Sequence, residues 1–448
     1  MNRPRRIAVV GAGISGLGAA LALSREPARA SVTLYEADGR FGGHTNTVDV
    51  AIETPGGRIR HGVDTGFLVY NERTYPRFIA LLEELGIAGT ATDMSFSVRL
   101  PHEDLEWNGS SLDTVFAQRS NLLRPRFWRL LAQVLRFNRV CTALAREAER
   151  SGAAAPLEQS IGDFLDAHCF DGFFRDAYFL PMVGCIWSCP TEQMLRFPIA
   201  TMIRFCHNHG LLQVADRPRW FTVPGGARRY VERIVERLPD ARLGQPVRAI
   251  RRLPPGGGEA GVMLLTAAGA ERYDEVVLAC HSDQALALLD DATPGEREVL
   301  GAIRYQPNRA VLHTDASVLP RRRRAWAAWN YEHAGDPARE QRQVCLHYLI
   351  NQLQPLPFET PVVVTLNPLR EPAAGTVQGD FQYAHPVFDT AAIRAQQRLP
   401  ALQGLAHTWY CGAWTRYGFH EDGLMSGQDV ARALLDRALH AGDARAAA

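Results

Sequence analysis

The first pattern along the chain is a short apolar run, Ile7-Ala8-Val9-Val10, followed from Ser15 to Leu23 by small and apolar residues. The first suits a buried strand and the second a helix packed on a sheet. Val32-Thr33-Leu34-Tyr35 repeats the strand pattern, as do Tyr273 to Cys280, Val344 to Ile350, Val362 to Leu366 and Trp409-Tyr410-Cys411. Phe127 to Val140 has helical periodicity instead. Strands separated by long helical intervals predict an α/β protein.

Between the first strand and helix lies Gly11-Ala12-Gly13-Ile14-Ser15-Gly16, a G-x-G-x-x-G fingerprint in its strand-to-helix context. Its glycines permit a tight turn, close backbone approach to a pyrophosphate and close helix–strand packing, and the helix N-terminus faces the phosphate charge. Glu36 stands twenty residues after Gly16, at the end of the second strand, where a carboxylate accepts from ribose hydroxyls and repels a 2′-phosphate. Next come Gly42-Gly43-His44-Thr45, whose paired glycines allow a second close backbone approach, useful to a ligand longer than one mononucleotide half. The expected cofactor is therefore flavin adenine dinucleotide (FAD).

The segment from Asp38 to Thr45 resembles the second diphosphate-contacting motif of the flavin amine oxidase and phytoene desaturase superfamily, with His44 where an arginine is common. Trp220 to Gly226, Pro246 to Ile250, Tyr273 to Cys280, Trp409 to Ala413 and Gly423 to Gly427 are similar to further motifs of that superfamily, in the same order. Within it, Gly43 to Thr47, Val63 to Phe67, Asn71 to Pro76, Cys280 to Gln284 and Tyr417 to Gly423 resemble a bacterial group of predicted NAD/FAD-binding proteins, often encoded beside cyclopropane-fatty-acid synthases. The resemblance implies a cofactor set of Gly11, Gly13, Ile14, Ser15, Gly16, Glu36, Ala37, Gly42, Gly43, His44, Thr45, Thr65, Gly66, Val247, Gly412, Ala413, Gly423, Leu424, Met425 and Ser426. It also implies a discontinuous Rossmann-like FAD-binding domain of the amine-oxidase type over 1–83, 219–300 and 405–440, with strands near 7, 32, 247, 276 and 409. The intervals 84–218 and 301–404 are then an α+β substrate domain with a mixed sheet. Gly256-Gly257-Gly258 reads as a hairpin loop and 441–448 as a frayed tail.

Composition trims the alternatives. The 448 residues carry 49 basic against 48 acidic side chains, so no global field favours nucleic acid. Every basic residue is arginine; lysine is absent. Eight scattered cysteines fit a reducing compartment, and neither Cys185-x-x-x-Cys189 nor Cys206-His207-x-His209 has zinc spacing, so no metal is expected. Arg3, Arg5 and Arg6 before an apolar run mimic a secretory signal, but the glycine spacing assigns that run to the nucleotide site. A cytoplasmic protein is expected. Arg119 to Leu131, continuing to Arg136 and Arg139, mixes arginine with Trp, Phe and Leu; it reads as an amphipathic packing helix, with peripheral contact to the inner membrane surface as the alternative. Arg321 to Arg324, with Trp326 and Trp329, is a second such stretch.

By family position the loop Tyr417-Gly418-Phe419-His420-Glu421-Asp422 adjoins the reactive face of the flavin. Tyr417 and Phe419 are candidate rings there, as in amine oxidases. No lysine exists for the role many amine oxidases give it. His420 is the first candidate for proton transfer and Glu421 the second, with loop anchoring or a helix N-terminal contact as the alternative for both. His44 and His281 read as cofactor or core contacts. The leading expectation is hydride chemistry on an apolar, fatty-acyl or methylated or unsaturated acyl small molecule. The others are an amine oxidase producing hydrogen peroxide and a non-catalytic FAD-containing partner of a lipid-modifying methyltransferase.

Overall fold

The run at Ile7 forms the strand Arg5–Val10, which lies at the centre of a five-stranded parallel sheet. Its order is Ala241–Arg242, Ala30–Tyr35, Arg5–Val10, Glu275–Leu278 and Thr408–Tyr410. The central strand reads as unbroken hydrophobicity because both faces are covered: Ile7 and Val9 join one apolar cluster, Ala8 and Val10 another. The computed structural model describes residues 3–151, 159–213, 217–253, 260–336 and 343–446, and the expected loop at Gly256-Gly257-Gly258 lies outside them.

The arginines that mimic a secretory signal are used within this sheet. Arg5 pairs with Glu275 of the neighbouring strand, Arg3 with Asp274 just before it, and Arg6 with Glu271 of the preceding strand Gly269–Tyr273. The strand expected near Val247 departs from the plan: Ala249–Leu253 belongs to a separate three-stranded antiparallel sheet, and Ala241–Arg242 takes the edge of the parallel one. Backbone bonds from Gly244 to Asp38 and from Gln245 to Glu36 hold Val247's approach segment to the nucleotide sheet.

A second, seven-stranded sheet runs in the order Val377–Val387, Arg304–His313, Val363–Leu366, Cys345–Leu349, Trp329–Glu332, Phe96–Leu100 and Leu105–Asn108. It is mixed, since Trp329–Glu332 pairs with Phe96–Leu100 in parallel and the other neighbours are antiparallel. Alternation along its strands sends Tyr331, Leu346, Tyr348 and Val364 into one core with the helices Pro125–Ser151, Ile161–Ala167, Leu180–Trp187 and Ile199–Asn208.

The first and last helices, Ile14–Ser24 and His420–Ala446, lie directly on one another. The last one runs to Ala446 and so extends into the segment expected to fray. Glycine sets this approach. A Cβ on Gly427 would stand 2.0 Å from the Ser15 carbonyl oxygen, and one on Gly423 2.8 Å from the Ile14 side chain. Gly427→Ala must therefore push the helices apart, and it should destabilise the protein by about 1–3 kcal/mol, the usual cost of overpacking a tight core, measured by chemical denaturation.

Candidate functional site

The loop Gly11–Gly16 is shaped by three different demands. Gly11 has φ +100°, and a Cβ there would meet the Ala279 carbonyl oxygen at 2.9 Å; one on Gly16 would meet the Gly11 carbonyl oxygen at 1.8 Å. These two glycines are required by close packing of strand, turn and helix. Gly13 differs: its Cβ would meet nothing within 4 Å, and it starts a helix that no side chain caps. Open space in front of uncapped amides fits a phosphate.

Beside this loop Glu36 is buried, and its carboxylate accepts from the Ala12 and Asp38 amides, each at 2.9 Å. Each oxygen retains accepting capacity for a ribose hydroxyl. Gly42 bridges back to Gly13, with the Gly42 amide on the Ala12 carbonyl at 2.8 Å, so the second glycine motif is laid against the first. His44 follows. Its Nε2 is buried with no hydrogen-bond partner, and its ring lies 5.2 Å from Tyr383, 5.4 Å from His385 and 6.1 Å from His281. Burial first, then the neighbouring histidines, hold its proton affinity well below the ordinary imidazole range. An orphaned buried nitrogen beside an open phosphate cradle fits FAD. The residues that would hold it are Gly13 through Ser15, Glu36, Gly42 through Thr45 and the Thr65-Gly66 turn.

That turn is fixed by Asp64. Its buried carboxylate accepts from the Ala227 amide at 3.0 Å, from Gln354 Nε2 at 2.7 Å and from the Thr47 hydroxyl, while its own amide donates to Gln354 Oε1 at 3.0 Å. Burial, opposed by these donors, pushes its pKa up to about 7. Thr65 Oγ1 and Asn46 Nδ2 both reach the Tyr383 hydroxyl, at 2.7 and 3.0 Å. A Cβ on Gly66 would stand 2.1 Å from the His44 carbonyl oxygen.

Several expected cofactor residues have packing roles in view. Ser426 Oγ accepts from the Gly412 amide at 2.9 Å and donates to the Gly423 carbonyl, closing the segment that carries Ala413 against the last helix. Leu424 is buried against Gly18, Met425 is half-buried, Val247 is partly buried and Ala37 is exposed.

The catalytic candidates separate. His420 is buried, stacked 3.7 Å from Phe67, and hydrogen-bonded through Nε2 to the Tyr230 hydroxyl at 2.8 Å. Desolvation lowers its pKa to about 3, so at neutral pH it is uncharged and has no proton to give as an imidazolium; in this environment its stacking and its bond to Tyr230 position the loop. The Tyr230 hydroxyl continues to Thr45 Oγ1 at 2.5 Å, which ties His420 to the second glycine motif. Glu421 accepts from the Arg77 and Phe78 amides at 2.8 and 2.9 Å; it caps the helix Pro76–Glu84 from outside, which is the helix N-terminal contact rather than proton transfer. Tyr417 and Phe419 face the helix Ile199–Asn208: Phe419 stacks on Phe205 at 4.6 Å, and Tyr417 lies 6.1 Å from the same ring. Trp187 at 4.9 Å and His209 at 3.9 Å from Phe205 complete an aromatic wall. The pKa of His209 is lowered to about 4 by burial.

Sequence reasoning missed Tyr230, Gln354, Tyr383 and His385, which come from remote segments and carry no local motif. It also passed over Glu332, Cys345 and His347, whose ligand atoms lie within 4.8 Å of one another on the other face of the large sheet. Hydrogen-bond polarity accounts for that group without an ion. The Asp315 amide donates to His313 Nδ1, His313 Nε2 then donates to Thr365 Oγ1, and Thr365 donates to His347 Nδ1. The proton of His347 therefore sits on Nε2, 3.1 Å from Glu332 Oε2, at the atom an ion would need.

Two outcomes follow from the histidines. Replacing His44 by Ala should weaken FAD binding about tenfold, the worth of one hydrogen bond to a charged group, while His44→Arg should bind FAD at least as tightly as the parent; titration calorimetry of FAD into the stripped protein distinguishes them. His209 and His385, with pKa about 4, and His420, with pKa about 3, are all lowered from 6.5 by burial. From about pH 6.5 down to pH 4 the unfolded chain binds protons that the folded chain refuses, so the melting temperature should fall steadily across that window. Asp64, raised to about 7, Asp422, raised to about 6, and Asp176 and Glu421, also raised, act in the opposite sense, but His44, His281, His313 and His333 are lowered by burial as well, so among the described residues four carboxyls oppose seven histidines. His420→Gln should flatten the slope.

The flavin containing amine oxidoreductase family matches residues 14–317. No curated protein matches the chain. Among solved structures, a CLA-producing fatty acid isomerase from P. acnes superposes with a TM-score of 0.64 at 15% identity, over 96% of this chain and 98% of that one. Cyclohexylamine oxidase from Brevibacterium oxydans IH-35A also gives 0.64 at 15% identity, over 97% and 99%. A putrescine oxidase bound to putrescine gives 0.64 at 16% identity, over 97% and 99%. At such identities the likeness is one of fold. The family match spans well over half the sequence: the chain belongs to the flavin containing amine oxidoreductase family and is an FAD-dependent oxidoreductase.

Proposed function

We propose that this oxidoreductase acts on an apolar substrate, a fatty-acyl or a methylated or unsaturated acyl chain, by desaturation, saturation or double-bond relocation. The observation that carries the reading is the wall opposite the Tyr417–His420 loop. Phe205 and Trp187 present apolar surface to the loop's Phe419, His209 stacked on Phe205 is uncharged at neutral pH, and so is the loop's own His420, packed on Phe67. Such a wall suits a hydrocarbon chain, and none of these side chains is an anion to pair with a charged amine. Arg204, whose guanidinium lies 5.5 Å from the Tyr417 ring centre, adds a cation at its edge for an acyl carboxylate.

Bound FAD supplies the hydride chemistry, and the chain contributes binding, orientation and exclusion of water. His420, held by Phe67 and Tyr230, fixes the loop that presents Phe419. A solved protein of the same fold is a fatty acid isomerase, and the absence of lysine removes a group that many amine oxidases use; both favour the acyl reading. The resemblance to proteins encoded beside cyclopropane-fatty-acid synthases adds a lipid-modifying enzyme as the partner. The amine reading draws on the same two rings, Tyr417 and Phe419, and on the fold shared with cyclohexylamine and putrescine oxidases.

Anaerobic mixing of the FAD-loaded protein with fatty acids and phospholipids, and separately with an amine panel, separates the readings through the flavin absorbance and mass spectrometry of the products. Flavin bleaching or an altered acyl chain with lipids alone is the expected result. Bleaching by amines alone, with peroxide formed on admitting air, would replace the acyl reading, and inertness to both would leave a non-catalytic partner role.

A further inference from the structure

We infer that the surface built by the segment 112–135 and the arginines at 321–324 docks on an anionic lipid bilayer. The inference stands on this surface and not on the acyl-substrate reading.

Folding leaves large apolar side chains outside the core here in an unusual concentration. Leu112 is 79% exposed, Leu123 88%, Leu122 46%, Trp128 50% and Leu135 54%. They are brought together by contacts rather than by sequence alone. Trp128 Nε1 donates to the Leu122 carbonyl at 2.9 Å, and its ring lies 5.2 Å from Phe116. Trp128 and Leu135 are seven positions apart in the helix Pro125–Ser151 and so share one face. The short helix that begins at Leu112 meets the turn Arg323–Ala325 through Asp113, which takes both Arg119 and Arg324. Exposed leucine and an amphipathic tryptophan on one side of a helix suit insertion at the headgroup boundary.

Charge then selects the partner. The arginines around the patch are not all consumed internally: Arg119 and Arg324 share Asp113, Arg124 pairs with Asp104, Arg126 with Glu103 and Arg322 with Glu106. Arg129, Arg139, Arg321 and Arg323 are exposed and make no ion pair among the described residues. Uncommitted cations ringing exposed leucines match anionic headgroups over an acyl layer. A spanning role is not in question, since no described helix is long and apolar enough to cross a membrane. The underside of the patch, Phe116 and Phe127, belongs to the same continuous apolar core as Phe205, against which Phe419 packs.

The test is co-sedimentation of the FAD-loaded protein with sucrose-filled vesicles, either pure phosphatidylcholine or one part in three phosphatidylglycerol, at low and high salt. Flavin absorbance of each variant verifies that it has folded. Binding to the anionic vesicles should exceed binding to the neutral ones by at least about tenfold and collapse in high salt. Leu122→Glu with Leu123→Glu should lower it about tenfold or more, and Arg321→Gln with Arg323→Gln by about fivefold per arginine, with flavin content unchanged. Equal binding to both vesicle types, no binding at low salt, or variants that bind like the parent would overturn the inference. So would light scattering that shows a dimer lost in the leucine variant, because the patch would then be the seam between two copies.

Discussion

The reciprocal pair between Asp64 and Gln354 carries much of this architecture. It joins the turn that faces the cofactor cradle to the end of the short helix Ile350–Leu353, which follows the Cys345–Leu349 strand of the large sheet, across a sequence separation of 290 residues. A buried carboxylate is tolerated only where donors surround it, and Asp64 has three: a backbone amide at a helix start, a carboxamide and a hydroxyl. Remove one and the remaining polar atoms are stranded in a dry interior. The position of Thr65-Gly66 beside His44, and through Tyr383 the seating of the Val377–Val387 strand, all inherit their precision from that arrangement.

Legibility in the sequence follows the range of the physics involved. Gly11, Gly13, Gly16, Glu36 and the Gly42-Gly43 pair are governed by local backbone geometry, so their spacing announces the nucleotide site. Apolar runs announce strands, and the mixed sheet with Cys345–Leu349 and Val363–Leu366 was readable from them. What could not be read is anything decided by distant partners. Glu421 looks like an acid poised for chemistry until the helix Pro76–Glu84 arrives to use it as a cap, and His420 looks like a switch until Phe67 and Tyr230 enclose it. The edge strand Ala241–Arg242 is two residues long and carries no pattern to find.

Neutrality is the common character of the histidines in this region. His44, His281, His385, His209 and His420 all have lowered proton affinity, and burial is the first cause for each. A set of uncharged imidazoles gives hydrogen-bond donors and acceptors without adding charge to a dry site. The diphosphate is then left to backbone amides and neutral donors, and no buried cation has to be desolvated when the site is empty.

The contact between the first and last helices bears on how the protein is made. The strand Arg5–Val10 leaves the ribosome hundreds of residues before its parallel neighbour Glu275–Leu278 and the helix that rests on Ser15. Until then the glycine loop has no far wall. Non-local pairing of this kind is slow to form and leaves an apolar strand edge exposed in the meantime. The cofactor's binding energy therefore becomes available only once the helix that carries Gly427 has docked on Ser15, so bound FAD favours the state in which the two helices are packed together.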